Sequence, residues 1–190
     1  MNVGWVVGQP VSLAEVVYRE ALLRASTRAV ALPIAGTREG RQLRRWLVQV
    51  LVTEKVVAYE ARSLEVCGAD GPSEAEVLPD LTARLEVGSV LAGVLADPLA
   101  RALYSRITAE IEVDAATIAD YHRRNPNRFI RDRRANLAEV APQIAEHLGG
   151  AARRRAFRLL IERRRAELVQ LAPGYEHPGD PRQPDNTHRH

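Results

Sequence analysis

The sequence predicts an all-α protein with a short two-stranded β element that joins its N- and C-terminal segments. Apolar residues recur at three- and four-residue steps through most of the chain, helix-capping residues precede these segments, and a β-prone run stands near each end. Of the 190 residues, 46% are hydrophobic but only 5% are aromatic. We therefore expect a real core, built mainly from alanine, leucine and valine.

The first predicted element is a strand over residues 3–7, which a turn at 8–10 closes because glycine and proline interrupt the β-prone run. Ser12 and Glu15 form a capping box, so a helix should begin there and end before Pro33.

The longest predicted helix is capped by Thr37. Its apolar stripe runs for about 30 residues at helical spacing. A glycine- and proline-containing cluster at 68–72 ends it.

Two further helices are predicted over 81–95 and 98–108, the second with Asp97 as its N-cap and proline in its first turn. Asp114 caps another helix, which runs to about Arg124 because the sequence Asn-Pro follows.

The last part of the chain returns to a helical pattern over 137–168, with a break or kink predicted at Gly149-Gly150. A possible short strand follows at 169–171. Residues 173–190 are rich in proline and histidine without apolar periodicity, and they are expected to form an extended or disordered tail.

The charge is unevenly distributed, although the net charge is only +3. Residues 121–170 contain 13 arginines against five acidic residues, whereas 60–90 contain seven acidic residues against two arginines. The arginine triplets at 153–155 and 163–165 have no interleaved aromatic residues for base stacking. They predict a solvated helix face rather than a specific nucleic-acid site.

Several function classes are disfavoured by what the sequence contains. The single cysteine, Cys67, excludes an intramolecular disulfide and a cysteine-based metal cluster, and no basic neighbour would activate its thiol. The chain has no glycine-rich phosphate loop and no GxSxG or HExxH motif. It also has no apolar run long enough for membrane insertion and no signal-peptide pattern, so we expect a cytoplasmic location.

Three segments resemble the chaperone core of SurA-type proteins, which are parvulin-associated peptidyl-prolyl isomerase chaperones. Val6–Glu15 is similar to the family's opening V-N-G-x-x-I-[ST]-x-x-[ED], with Val7 in place of the usual asparagine. Leu51–Ala61 is similar to the long-helix segment L-I-D-E-K-L-L-x-Q-E-A. Val113–Phe129 is similar to V-T-x-x-E-[IV]-x-x-Y-Y-x-x-N-P-x-x-F, which marks the entry to the family's parvulin domain.

The resemblance covers about residues 3–172 and implies a SurA-like helical domain over 1–172, with an N-terminal part (1–129) and a C-terminal return helix and strand (137–172). Only seven residues, 130–136, stand where the family carries its parvulin domain, so prolyl isomerase activity is not expected. The resemblance also implies that the strand at 3–7 pairs with the one at 169–171.

The function that the resemblance implies is a chaperone-like polypeptide-binding module. It would hold extended apolar segments of an unfolded polypeptide, or a small apolar molecule, in a groove between the long helix and the C-terminal return helix. Amphipathic or aromatic side chains suit such a groove, because they offer a large contact area at low entropic cost. Each candidate can equally be a core residue, and the candidates are Trp46, Tyr59, Tyr104, Tyr121 and Phe129.

The residues leave other functions open. The chain can be a small enzyme or accessory factor of a bacterial biosynthetic pathway that uses the groove as a small-molecule site. It can also be a homodimer that fills its own groove. A divalent metal could be held by His177, His188 and His190, although a solvated tail explains the same residues. No other cofactor is expected.

Overall fold

The computed structural model describes residues 1–27, 29–129 and 136–177. Within these residues the chain forms eight α-helices and a small antiparallel sheet, which confirms the predicted, mostly helical class. The part of the chain described contains no helix with the length and hydropathy needed to cross a membrane.

The elements are named in chain order. The strands are β1 (Asn2–Val6), β2 (Gln9–Ser12) and β3 (Val169–Leu171). The helices are α1 (Leu13–Arg24), α2 (Arg38–Ser63), α3 (Glu74–Val77), α4 (Leu81–Val87), α5 (Ser89–Val94), α6 (Pro98–Thr108), α7 (Ala115–Arg124) and α8 (Leu137–Leu168). Short 3₁₀ turns occupy Ala29–Ala31, Gly68–Asp70 and Pro126–Phe129.

The sheet has three strands in the order β2-β1-β3, so the prediction of a two-stranded element was wrong. The segment predicted as a turn continues into β2, which pairs with β1 and places Pro10 opposite Trp5. An edge strand tolerates proline because the missing N–H can face away from the ladder. The predicted pairing of the two chain ends is confirmed, since Val6 lies opposite Val169 in β3.

Four helix starts form as their capping residues predict. Ser12 and Glu15 make both hydrogen bonds of a capping box at α1. The side chains of Thr37, Asp97 and Asp114 each accept a backbone N–H at the starts of α2, α6 and α7. These starts depend on residues within one turn, which is why local sequence predicts them.

The helix predicted over 81–95 is two helices, because Gly88 has a φ of 81° and separates α4 from α5. The break predicted at Gly149-Gly150 is absent, and α8 runs unbroken for 32 residues, longer than the 26 of α2. The two glycines instead make room for arginine side chains. A Cβ at Gly150 would lie 3.0 Å from Nη1 of Arg154.

The core consists of two clusters that meet at α2. Leu47, Val48 and Val52 are buried on the face of α2 that packs against β1, β2 and α1. Val50 and Val57 are buried among α4, α5, α6 and α8. Apolar residues on both faces explain why α2 lies at the centre of the fold.

The first residues of the predicted tail are packed against α2. The side chain of Arg45 donates to the carbonyl of Gly174 at 3.1 Å, and that of Gln49 donates to the carbonyl of Tyr175 at 2.8 Å. The Tyr175 side chain packs against the cluster formed with β1, β2 and α1. Residues 178–190 lie outside the described part of the chain.

The contact between β1 and β3 gives the first testable prediction. A Cβ at Gly4 would lie 2.8 Å from the carbonyl oxygen of Gln170, a backbone atom that cannot move aside alone. Gly4→Ala should therefore lower the free energy of unfolding by about 1–3 kcal/mol, measured by urea denaturation. Gly149→Ala is the matched control. The three atoms nearest to its Cβ would all belong to the flexible end of the Arg153 side chain, so this variant should cause no loss. Equal losses in both variants would contradict this account.

Candidate functional site

A groove runs along α2 between α1 on one side and α5 and α6 on the other. It consists of two adjoining cavities of about 730 and 450 Å³, which share Arg19, Glu54 and Asp97. We call it the α2 groove. Its apolar lining is contributed mainly by α2, with α1, α5 and α6 at the sides. The residues are Leu23, Trp46, Leu47, Val50, Leu51, Val57, Ala58, Ala92, Val94, Ala96, Leu99 and Ala100, of which Leu47, Val50, Val57, Val94 and Ala100 are buried beneath the surface of the groove.

Trp46 is the one large aromatic side chain of this lining, and the structure shows how it is accommodated. It packs against both core clusters and lies over Gly93 of α5. A Cβ at Gly93 would be 3.3 Å from Cζ2 of the indole, so a glycine suits this contact. An isolated glycine inside an apolar helix is the sequence signal that could have indicated such a close approach.

Charged residues meet where the two cavities join. Arg19 of α1 forms an ion pair with Glu54 of α2, and Asp97 lies on the opposite wall at the start of α6. Burial raises the pKa of Glu54 above its usual value, and the negative charge of Asp97 opposes its ionisation further, although Arg19 favours the charged form. Nothing in the sequence indicated this contact, because Arg19 and Glu54 are 35 positions apart.

The α1 wall is held in place by a second charge cluster. Glu20 is 4% exposed, and its carboxylate accepts hydrogen bonds from Arg24 at 2.7 Å and from Arg44 of α2 at 2.6 Å. Burial alone would raise the pKa of Glu20, but the bonds from the two arginines outweigh it and hold the pKa below its usual value. Arg24 also donates to the carbonyl of Pro33, which ties the following loop to α1.

The five predicted groove residues do not come together. Trp46 lines the α2 groove, whereas Tyr59 lies near the C-terminal end of α2 and is 37% exposed. Tyr104 is buried in an edge-to-face contact with Phe157, with ring centroids 5.4 Å apart. Tyr121 is on α7, and its ring lies beside that of His147. Phe129 is in the 3₁₀ turn that follows α7, and its side chain lies outside the described part of the chain.

The interface between α2 and α8, where the sequence predicted the groove, is largely filled by side chains. Phe157 is fully buried and Ile161 is 2% exposed in the cluster that includes Val57 of α2. Beyond them Arg164 pairs with Glu60 of α2 at 2.7 Å. The larger open groove is bordered by α1, α5 and α6, and only a smaller cavity of about 290 Å³ lies between Thr53 of α2 and Arg158 and Arg165 of α8.

Of the predicted metal-binding residues, only His177 is within the described part, where it lines a cavity beside α8. His188 and His190 lie outside it. Residues 1–27, 29–129 and 136–177 contain no group of three potential metal ligands, so a metal site that uses the tail stays a prediction.

A family of unknown function (DUF7158) matches the chain over residues 2–39. This span covers β1, β2, α1 and the first two residues of α2, and it includes Glu20 and Arg19 of the groove wall. No curated protein and no solved structure matches the chain.

The opposite pKa shifts of Glu54 and Glu20 give a prediction with a defined sign. Because the folded-state pKa of Glu54 is raised, its ionisation costs stability as the pH rises from the unfolded-state pKa through the folded-state pKa. The free energy of unfolding of Glu54→Gln, relative to the parent, should therefore increase as the pH rises above about 4.5, the usual pKa of a glutamate.

Glu20→Gln is the matched control with the opposite expectation. The lowered pKa of Glu20 contributes stability above the unfolded-state pKa that is lost as the pH falls. Its variant should become less stable relative to the parent as the pH rises toward about 4.5, the usual pKa of a glutamate, and should change little above that pH. Urea denaturation at several pH values measures both trends, and a shared sign would refute the assignment.

Proposed function

We propose that the protein is a chaperone-like polypeptide-binding module without prolyl isomerase activity, and that it holds extended apolar segments in the α2 groove. The observation that carries the proposal is the pair of adjoining cavities with an apolar lining and a charged junction. The similarity of three sequence segments to the SurA-type chaperone core supports the same function. The sequence predicted this groove between α2 and α8, whereas the α2 groove is bordered by α1, α5 and α6.

The dimensions of the groove suit an extended chain. Its lining runs along α2 from Trp46 to Ala58, which is about 18 Å at 1.5 Å per residue. An extended polypeptide rises about 3.3 Å per residue, so about five residues would fit. Alternate side chains of such a segment would face the apolar lining and leave the others to solvent.

Charges of both signs line the groove, with Arg19 and Arg84 against Glu54, Glu74 and Asp97. Arg19 pairs with Glu54, and Arg84 pairs with Glu74, so these charges contribute little affinity to a charge on a bound segment. The bound segments should therefore share hydrophobicity rather than a charge pattern or a motif.

The groove can be blocked without disturbing the core. Ala96 lines it and is exposed, so Ala96→Tyr places a ring in the groove from the turn between α5 and α6. The probe is a ten-residue uncharged peptide of alternating leucine and serine. We expect Ala96→Tyr to weaken its binding at least tenfold, about 1.4 kcal/mol, in titration calorimetry.

The matched control is Ala116→Tyr, because Ala116 is also an exposed alanine but lies on α7, away from the groove. It should bind the peptide as the parent does. The parent should also suppress light scattering from a client unfolded by disulfide reduction, and Ala96→Tyr should lose this effect. Equal binding by both variants, or acceleration of proline isomerisation by the parent, would overturn the proposal.

A further inference from the structure

Helix α1 packs against α2 with one face and leaves the opposite face to solvent. Val16 and Glu20 are buried on the packed side. The opposite side carries a row of apolar residues at steps of three and four, which we call the α1 stripe. All of its residues are exposed, and they are Ala14, Val17, Tyr18, Ala21, Leu22 and Ala25. A surface helix normally presents polar residues to water, so this row indicates an interaction surface.

The charged residues of α1 lie outside the stripe. They are Glu15, Arg19, Glu20 and Arg24, and each forms an ion pair, three of them with residues of α2. A nucleic acid or an anionic membrane would use cationic side chains beside the stripe, but both arginines of α1 are already paired. The occupant of the stripe should therefore present an uncharged, apolar surface of its own.

The residues outside the described part of the chain do not supply such a surface. They are residues 28, 130–135 and 178–190, and Ile130 is their one large apolar residue. The stripe extends over about three helical turns, so covering it takes several apolar side chains. We therefore expect the occupant to come from another molecule.

A second copy of the chain matches the stripe in size. We consider two α1 helices packed antiparallel about a two-fold axis midway along the stripe. This arrangement places Tyr18 of one protomer opposite the partner's Ala21, and Val17 opposite the partner's Leu22. The alanines at the two ends of the stripe also lie opposite each other. Each tyrosine ring thus meets a small residue, and the two-fold axis makes this contact twice.

The exposed area indicates how strong such a contact would be. Val17, Tyr18 and Leu22 are 48%, 67% and 49% exposed, and Val30 in the loop after α1 is 99% exposed. From Ala14 to Ala25 the stripe is about 17 Å long at 1.5 Å per residue. A contact between two single helices of this length buries less than about 600 Å² per protomer, at the low end for specific complexes. This area suits a reversible dimer with a Kd in the micromolar range.

We propose that the α1 stripe is a homodimer interface, in which the α1 helices of two copies pack antiparallel about a two-fold axis. The residues of α1 that line the α2 groove include Arg19 and Leu23, which lie on another side of the helix. The dimer contact therefore does not use the groove lining. It does not depend on the function proposed for the α2 groove.

The first test is sedimentation equilibrium of the full chain from micromolar to submillimolar concentration. The weight-average mass of the parent should rise from 21.1 kDa toward twice that value. Ala21→Glu should weaken dimerisation at least tenfold, because it places two carboxylates in an apolar interface. Ala21 is exposed, so the dilute variant should keep the parent's circular dichroism spectrum. The matched control is Ala116→Glu, which changes an exposed alanine of α7 and should dimerise as the parent does.

The second test measures the orientation of the two helices by disulfide formation. Both proteins carry Cys67→Ser, because the native cysteine is exposed. Protomers with Ala14→Cys are mixed with protomers carrying Ala25→Cys and oxidised, and the disulfides are identified by mass spectrometry. The antiparallel dimer should give the mixed disulfide in excess over the disulfides within each variant, since a disulfide needs Cα atoms within about 7 Å.

Four results would contradict the proposal. A parent that stays at 21.1 kDa at every concentration has no such dimer. Equal association of Ala21→Glu and the parent would place the contact elsewhere, and an excess of Ala14→Cys paired with itself would exclude the antiparallel arrangement. Binding of a monomeric parent to phosphatidylcholine vesicles, lost in Ala21→Glu, would make a membrane the occupant.

The outcome here is distinguishable from the outcome at the α2 groove. Ala21→Glu should bind the leucine–serine peptide as the parent does, because Ala21 lies outside the groove lining. Ala96→Tyr should dimerise as the parent does, because Ala96 lies outside the α1 stripe.

Discussion

The position of α2 between two hydrophobic clusters is the constraint on which the rest of the structure depends. One face, with Val48 and Val52 fully buried, packs against β1, β2 and α1, and the other, with Val50 and Val57, packs against α4, α5, α6 and α8. Burial of each such side chain contributes about 1.5–3 kcal/mol, so neither face can be left exposed. The chain must therefore place helices on both sides of α2.

Concave sites arise where these surrounding helices do not meet. Between α1 and the α5–α6 pair part of α2 stays accessible, including Trp46, Leu51 and Ala58, and the ion pair of Arg19 with Glu54 lies there. A smaller cavity remains between α2, α8 and the α4–α5 junction, with Arg165 at its edge. Phe157 and Ile161 fill the part of the α2–α8 interface near Val57. These openings follow from how the helices surround α2.

The parts of this structure that sequence could predict are those that depend on nearby residues. Ser12 with Glu15, and Asp114, determine helix starts through bonds within one turn. The remainder depends on tertiary contact. Pro10 favoured a turn over a strand in the sequence, but the edge position of β2 allows proline there. Gly149 and Gly150 predicted a break in the helix, but arginine side chains lie over them and α8 continues. The α2 groove needs residues of α1, α2 and α5 together, which no local pattern specifies.

The central claim is that an extended apolar segment lies along α2 between α1 and α5–α6. Photo-crosslinking tests this claim most directly. The leucine–serine peptide would carry a benzophenone side chain at one leucine position, and the crosslinked residues would be identified by mass spectrometry. The account predicts crosslinks confined to the α2 groove, around Trp46, Leu51, Ala92 and Leu99. Crosslinks concentrated on α8, or spread evenly over the surface, would contradict it.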